Sequence, residues 1–234
     1  MSDPPIVFEE WKTADGELIA VARLNTPRNL NSLSMDMISL LKPQLSRWAE
    51  DPKVQAVWLE AEGDKAFCAG GDIVSLYRAM TEPGKLAEGE RFFNEEYELD
   101  YQIHTYPKPI VCWGNGIVMG GGIGLMVGAS HRVVTEHSKL AMPEVSIGLY
   151  PDIGAGWFLN RMPMRTGLFL GLTGARMNGA DALFVNMADR FISHGLKDQV
   201  VDALKAADWQ RAEAQAVVSA VLRQFEQQSR EAIP

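Results

Sequence analysis

A glycine-rich stretch over residues 109–152 constrains the fold of this chain more than any other part of the sequence. It reads PIVCWGNGIVMGGGIGLMVGASHRVVTEHSKLAMPEVSIGLYPD. The apolar run 109–113, closed by the turn residues 114–116, predicts a buried strand that ends in a turn. The triple glycine at 120–122 then begins a short apolar helix, where glycine lets a ligand approach bare backbone amides. The stretch therefore predicts a strand that leads into an amide-lined binding site.

Two carboxylates, Glu144 and Asp152, follow this helix, and each stands directly after a proline. A strand predicted over residues 131–135 and the loop behind it return the chain to the glycine cluster, so we expect both acids near it. A carboxylate in apolar surroundings has a raised pKa, which suits proton transfer. The residues alone also allow a structural interpretation, in which Glu144 caps a turn and Asp152 caps the helix that starts near residue 154.

A second glycine pair, Gly70 and Gly71, precedes Asp72, and aspartate is typical of a helix N-cap. Each of the two glycine loops therefore offers backbone N–H groups at the positive end of a helix. Two such donors form an oxyanion hole, which chemistry on an acyl carbonyl requires because negative charge develops on the oxygen. The glycines alone also fit close packing of helix on sheet.

The remaining pattern predicts an α/β fold in which strand–strand–helix units recur, as they would in a spiral. A hairpin at the turn pair Asp15 and Gly16 begins it. Ser34 is a suitable N-cap for the next helix, which Pro43 is expected to kink or divide. The other predicted elements are strands at 54–61 and 189–192, helices at 35–50, 73–80 and 88–106, a helical region from 154, and two amphipathic helices between 196 and 232.

Composition excludes several classes of function. The chain has 234 residues, 47% hydrophobic, enough for a sizeable core, and its net charge of −8 argues against nucleic-acid binding. No uncharged stretch has the length of a membrane span and no basic region precedes an apolar run near the N-terminus, so we expect no membrane partner and a cytoplasmic location. The cysteines, Cys68 and Cys112, lie in apolar contexts that suit a reducing compartment. The four histidines lack metal-ligand spacing, so no metal is expected.

Three motifs occur in order along the chain: AFCAGGDI at residues 66–73, then NGIVMGGGIGL, then MPEVSIGLYPDIG. Together they resemble the crotonase, or enoyl-CoA hydratase/isomerase, superfamily, and the similarity extends from the first strands to about Leu196. Within it the chain is most similar to the 3-hydroxyisobutyryl-CoA hydrolases. Their pattern includes the acid pair of MPE-x5-YPDIG and the segment GLTGARMNGADAL, here at residues 171–183.

The resemblance implies a crotonase-like spiral of ββα units over residues 1–195. A helical C-terminal appendage, 196–234, would follow it and would be shorter than the C-terminal region expected for the hydrolases. The resemblance also implies a CoA thioester as ligand, no separate cofactor, and assembly into a homo-oligomer. Carried over to matching positions, the oxyanion donors are the N–H groups of Gly71 and Gly121, and the catalytic acids are Glu144 and Asp152. Glu144 would attack the thioester carbonyl or activate water, and Asp152 would bind the substrate hydroxyl or help to position that water. The implied substrate-binding residues are Glu96, Arg28, Ala66, Ala69, Gly70 and Ile73.

The implied activity is hydrolysis of a short branched 3-hydroxyacyl-CoA thioester, of the 3-hydroxyisobutyryl-CoA type found in valine catabolism. An enoyl-CoA hydratase or isomerase of the same fold is the alternative. Hydratases of this kind place a second catalytic glutamate two residues after the triple glycine, where this chain has Gly124. An incomplete version of the fold, which binds a thioester but turns it over poorly, is a further alternative.

A dinucleotide site is a more distant alternative. Gly114, Gly116 and Gly120 spell GxGxxxG after a strand and before a helix, and Glu136 lies where a ribose-binding acid would fall. This interpretation leaves the AGGD motif and the later acid pair without a role.

Overall fold

Pairs of strands alternate with helices along the chain. The computed structural model describes residues 3–233. The strands are β1 (Ile6–Lys12), β2 (Leu18–Leu24), β3 (Val54–Ala61), β4 (Ala66–Cys68), β5 (Ile110–Gly114), β6 (Ile117–Met119), β7 (His131–Val134), β8 (Lys139–Ala141) and β9 (Arg190–Phe191). The helices are α1 (Met35–Glu50), α2 (Ile73–Thr81), α3 (Leu86–His104), α4 (Gly121–Val127), α5 (Ala155–Phe158), α6 (Thr166–Thr173), α7 (Gly179–Phe184), α8 (Lys197–Ala206) and α9 (Ala214–Gln228).

The strands form two sheets. The larger has the order β1-β2-β3-β5-β7-β9, parallel throughout except for the β1–β2 hairpin, and the smaller is the parallel sheet β4-β6-β8. Each of the pairs β3–β4, β5–β6 and β7–β8 gives its first strand to the larger sheet and its second strand to the smaller one. The chain therefore winds as a spiral, which confirms the predicted fold class.

Helix α1 begins where the sequence predicts, with the Ser34 side chain accepting a hydrogen bond from the backbone N–H of Met37. Pro43 lies inside this helix and does not divide it, so the expected division is wrong. Pro43 is exposed, whereas Leu41 and Leu45 on either side of it are buried in the core. Burial of this apolar face holds the helix together across the hydrogen bond that proline cannot make.

Helices α8 and α9 confirm the two amphipathic helices predicted near the C-terminus. They cover one face of the larger sheet, where Val200 and Leu222 pack in a buried cluster with Trp58 and Trp113. The two indole rings stack with their centroids 5.4 Å apart. The division of the chain at residue 195 stays a prediction.

A buried asparagine positions the glycine loop at residues 70–71. Asn31 has a left-handed backbone, φ 52°, which asparagine tolerates better than most residues. Its side chain donates to the carbonyls of Glu62 (3.0 Å) and Ala66 (2.9 Å) and accepts from the N–H of Thr26 (2.8 Å). Because Ala66 opens the strand that leads to residues 70–71, these bonds tie that loop to the segment before α1.

We expect Asn31→Ala to lower the free energy of unfolding by about 2–4 kcal/mol, since it leaves buried backbone groups unpaired and puts alanine in a left-handed conformation. Urea denaturation measures the change. Asn29→Ala, in the exposed segment just before it, is the matched control and should stay within about 0.5 kcal/mol of wild type. Equal stabilities of the two variants would contradict the proposed role of Asn31.

Candidate active site

The two glycine loops, helix α3 and the loop after β8 surround a cavity of about 610 Å³. Most residues that the sequence predicts for the site lie in its wall. These are Ala69, Gly70, Gly71, Ile73, Glu96, Gly121, Glu144 and Asp152. Segments far apart in the sequence are therefore brought to one place by the spiral, where acids and glycine backbone line the same cavity.

Two of the predicted site residues do not line this cavity. Arg28 is exposed in the single 3-10 turn Pro27–Asn29. Ala66 is buried at the start of β4 and lines a different, polar cavity beside Asn115. Their contacts with CoA stay predictions.

Gly71 and Gly121 bring their backbones together at the edge of the cavity. A Cβ built on Gly121 would lie 3.5 Å from the amide nitrogen of Gly71, and it would collide with a carboxylate oxygen of Glu96. Within residues 3–233 neither amide N–H has a backbone or side-chain acceptor. Gly121 is the first residue of α4, where an N–H has no partner inside the helix. The arrangement therefore offers two neighbouring N–H donors to a ligand oxygen.

Glu144 faces these amides from the 3-10 turn Glu144–Ile147 that follows β8. Its side chain is buried, and its Oε1 lies 3.0 Å from the point where a Cβ on Gly120 would be. Its Oε2 has no hydrogen-bond partner in the described part of the chain. Burial raises the pKa of Glu144 to about 7, a hydrogen bond from its own backbone N–H opposes the rise, and the charge of Asp152 adds to it. A carboxyl with such a pKa can exchange protons near neutral pH.

Glu96 enters the same cavity from α3. The helix carries several acids, but Glu95 and Glu98 reach outward to Lys42, whereas Glu96 lies on the buried face and is 2% exposed. Burial, then the charges of Asp152 and Glu144, raise the pKa of Glu96 to about 8. With such a pKa the carboxyl is mostly protonated at pH 7 and can donate a hydrogen bond.

Asp152 is held by Tyr97, a residue that the sequence reasoning missed. The Tyr97 hydroxyl donates to Oδ2 of Asp152 at 2.7 Å. Burial, then this bond, raises the pKa of the Tyr97 hydroxyl, so it remains a donor. Its position next to Glu96 on a helix that faces the site was the available indication.

Asp100 is a second residue that the sequence reasoning missed. It lies one helical turn after Glu96, and a Cβ on Gly124 would lie 2.7 and 2.8 Å from its two carboxyl oxygens. Neither oxygen has a hydrogen-bond partner among residues 3–233. Burial, then the charges of Glu96 and Asp152, raise the pKa of Asp100 well above its ordinary value. The spacing of four residues from Glu96 was the indication in the sequence.

The structure does not support a dinucleotide site. The strand β6 separates the first glycines of GxGxxxG from α4, whereas the dinucleotide motif runs from strand to helix through one tight turn. A Cβ on Gly116 would collide with the carbonyl of Lys65, so close backbone packing explains this glycine. Glu136 accepts a hydrogen bond from the backbone of His194.

Comparison with known proteins agrees with this geometry. The sequence pattern of the enoyl-CoA hydratase/isomerase family matches residues 19–233. The chain belongs to this family. Over 174 residues it is 48% identical to "3-hydroxyisobutyryl-CoA hydrolase, mitochondrial" of Xenopus tropicalis, covering 74% of this chain and 44% of that protein. Over 174 residues it is also 44% identical to "Probable 3-hydroxyisobutyryl-CoA hydrolase 3" of Arabidopsis thaliana, covering 74% of this chain and 46% of that protein.

Two solved structures share the fold. A crystal structure of an enoyl-CoA hydratase from Rhodobacter sphaeroides has a TM-score of 0.79 and 36% identity, covering 94% of this chain and 66% of that one. A carnitinyl-CoA dehydratase from Mycobacterium thermoresistibile has a TM-score of 0.81 and 36% identity, covering 93% of this chain and 61% of that one. Both matches confirm the crotonase-like fold.

The chain spans less than half the length of the hydrolases that it matches. The expected cytoplasmic location is wrong by this comparison, because the similar hydrolases of Xenopus tropicalis and Bos taurus are named as mitochondrial proteins. In residues 3–233, no helix combines the length and apolar character needed to cross a bilayer.

The raised pKa of Glu96 predicts a pH-dependent stability. The unfolded chain loses this proton near pH 4.5 and the folded chain near pH 8, so the stability from this group is complete below pH 4.5 and lost as the pH rises through 8. Glutamine stays neutral, so Glu96→Gln should be more stable than wild type at pH 9 by roughly 2–4 kcal/mol and nearly equal to it at pH 5. Urea denaturation at both pH values measures this.

The matched control is Glu95→Gln, one residue earlier on the same helix. Its carboxylate is partly exposed and bonded to Lys42, which lowers its pKa, so the variant should show no gain at pH 9. Parallel pH profiles for wild type and Glu96→Gln would contradict the predicted protonation of Glu96.

Proposed function

We propose that this chain hydrolyses a short branched 3-hydroxyacyl-CoA thioester of the 3-hydroxyisobutyryl-CoA type. The observation that carries the proposal is the pair of free amides at Gly71 and Gly121 beside the buried carboxyl of Glu144. The names of the similar hydrolases support this choice of reaction and substrate. The reaction needs water and a polarised carbonyl, and CoA leaves as part of the substrate, so the proposal includes no separate cofactor.

In the proposed reaction the thioester oxygen accepts hydrogen bonds from the N–H groups of Gly71 and Gly121. These bonds strengthen as the carbonyl carbon becomes tetrahedral and the oxygen gains negative charge. One donor of this kind is worth about 100- to 1000-fold in rate. Because both donors belong to the backbone, they are already in place before the substrate arrives.

Glu144 acts on the carbonyl carbon by one of two routes. As a general base it takes a proton from water while the water oxygen attacks; the C–S bond then breaks and the CoA thiolate takes that proton. As a nucleophile it forms a mixed anhydride, with loss of CoA, which water then hydrolyses. Asp152, held by Tyr97, positions the water in both routes. After turnover in H₂¹⁸O, label in the Glu144 side chain marks the anhydride route.

The alternative activity is hydration of an enoyl-CoA, and the similar Rhodobacter sphaeroides structure is named for it. Hydration of the usual kind uses two glutamates that act on one water, and Gly124 stands where the second would be. The glycine at position 124 therefore favours hydrolysis over hydration.

We expect the protein to release free CoA thiol from 3-hydroxyisobutyryl-CoA and not to hydrate crotonyl-CoA. Glu144→Gln should lower kcat by about 100- to 10,000-fold, because glutamine can neither take the proton nor attack. Asp152→Asn should lower it less, since the amide still binds water. A thiol-trapping assay measures the release.

The control is Glu98→Gln, an exposed acid of α3 that should keep the wild-type rate. Hydration without thiol release would instead establish the hydratase alternative. Binding of the thioester without either reaction would favour the incomplete version of the fold.

We also propose that the chain assembles into a homo-oligomer. Helix α6 leaves Leu168, Phe169 and Leu172 exposed by 60%, 58% and 66%, and contiguous apolar side chains of this kind mark interaction surfaces. Size-exclusion chromatography with light scattering should give a multiple of the chain mass, and Phe169→Glu should reduce it. A monomer at micromolar concentration would contradict the proposal.

A further inference from the structure

A second cavity, of about 320 Å³, lies beside α3 and α4 and has no part in the reaction proposed above. The same elements line both cavities. Helix α3 gives Glu96 to the first cavity and Asp100 to the second, and α4 gives Gly121 and then Gly124. The two cavities therefore follow one another along the paired helices, and an acyl chain that leaves the oxyanion site along α4 would reach the second.

The wall of the second cavity is mostly aromatic and aliphatic. It includes Tyr101, Val127, Ile153, Trp157 and Phe158. Asp100 is the one acid among the described residues that line it. Tyr97, Tyr101, His104 and Trp157 also carry hydrogen-bonding atoms, but Asp100 is the one lining residue whose buried polar atoms lack a partner among the described residues. A largely apolar cavity with one unpaired polar group suits an apolar ligand that carries a polar group.

The carboxyl of Asp100 lacks the partners that a buried acid normally has. Both oxygens are buried, and neither forms a hydrogen bond within the described part of the chain. A buried polar group without a partner destabilises the fold, and a ligand that supplies the partner offsets this on binding. Burial raises the pKa of Asp100 well above its ordinary value, which favours the neutral carboxyl, a group that can both donate and accept a hydrogen bond.

Glycine at position 124 allows this carboxyl to reach α4. A Cβ there would lie 2.7 and 2.8 Å from the two carboxyl oxygens, so a side chain at this position would displace the carboxyl. Gly124 follows Gly121 by three residues, which is about 4.5 Å along a helix. In a 3-hydroxyacyl thioester, the hydroxyl oxygen lies three bonds from the carbonyl carbon, and the distance between these two atoms is comparable.

We infer that Asp100 is a specificity-determining residue that hydrogen-bonds the 3-hydroxyl of the acyl group where the two cavities meet. The inference rests on the proposed thioester hydrolysis. In this arrangement the amides of Gly71 and Gly121 hold the thioester oxygen, Asp100 holds the hydroxyl across the bare backbone of Gly124, and Asp152 remains free to position water. Acyl groups without the hydroxyl leave Asp100 without a hydrogen-bond partner, so their kcat/KM is lower.

The test compares 3-hydroxyisobutyryl-CoA with isobutyryl-CoA, which differ only in that hydroxyl. Wild type should prefer the first in kcat/KM, and Asp100→Leu should lower the ratio of the two values by about 10- to 100-fold. Asp100→Asn keeps a donor and an acceptor of the same size, so its ratio should stay within a few-fold of wild type. Asn94→Leu, on the exposed side of α3, is the matched control and should keep the wild-type ratio.

A thermal melt separates this role from a structural one. Removal of an unpartnered buried acid should raise the Tm of Asp100→Leu by a few degrees, whereas loss of a structural contact would lower it. An unchanged substrate ratio in Asp100→Leu would overturn the inference. An equal loss with both substrates together with a lower Tm would also overturn it.

A binding measurement makes the test independent of turnover. The probes are the ketone analogues of the two thioesters, in which CH₂ replaces sulfur, measured by calorimetry with wild type, Asp100→Leu and Asp100→Asn. If wild type releases no CoA, the proposed hydrolysis fails, yet a hydroxyl preference that Asp100→Leu abolishes would still support Asp100 as the hydroxyl-binding group. Equal affinity of wild type for both analogues would overturn the inference.

Discussion

Helix α3 packs so closely on α4 that the positions facing it, in α4 and just after it, are glycines. A Cβ would collide with Glu96 at Gly121, lie 2.7 Å from Asp100 at Gly124, and lie 3.1 Å from the backbone of His104 at Gly128. Glycine at these positions brings acids of α3 against the backbone of the helix whose first amide faces the cavity. A larger residue at Gly121 or Gly124 would displace the carboxyl of Glu96 or Asp100 from the backbone of α4.

The carboxyls gathered there lower the stability of the fold. Glu96, Asp100 and Glu144 are all removed from water, and the pKa of each is raised chiefly by that burial. Among the described residues, the one cation that forms ion pairs with acids of α3 is Lys42. It pairs with Glu95 and Glu98 on the outer face of the helix. A group of buried acids without a compensating cation is typical of a site that handles protons. The two-sheet spiral, with buried apolar clusters on both faces of the larger sheet, supplies the stability that offsets this cost.

The same fold accommodates different reactions because the chemistry depends on a few side chains that line the cavity. The structure similar to this chain at a TM-score of 0.79 is named as a hydratase, whereas the similar proteins compared by sequence are named as hydrolases. In this chain the bare backbone of Gly124 leaves space that Asp100 enters from the neighbouring helix. The carboxyl that meets α4 at this point therefore belongs to α3.

Local patterns were sufficient for much of the fold. The hairpin, the helix capped by Ser34, the helix capped by Asp72 and the two C-terminal helices depend on spacing and on caps between near neighbours, and the structure has them all. The motifs that resemble the family placed Glu144 and Asp152 at the glycine loops, and the structure lines one cavity with them. The continuity of α1 through Pro43 was not predictable, because it depends on packing against the core.

Tertiary packing alone decided which acids of α3 are buried. Periodicity places Glu95 and Glu98 on one side of the helix and Glu96 on another. Only the position of α4 and of the loop after β8 raises the pKa of Glu96 and leaves both Asp100 oxygens without a hydrogen-bond partner among the described residues. The bond from Tyr97 to Asp152 likewise joins residues that are 55 positions apart. Sequence specifies residue types and local order, whereas solvent exclusion and the field of neighbouring charges arise only when distant segments meet.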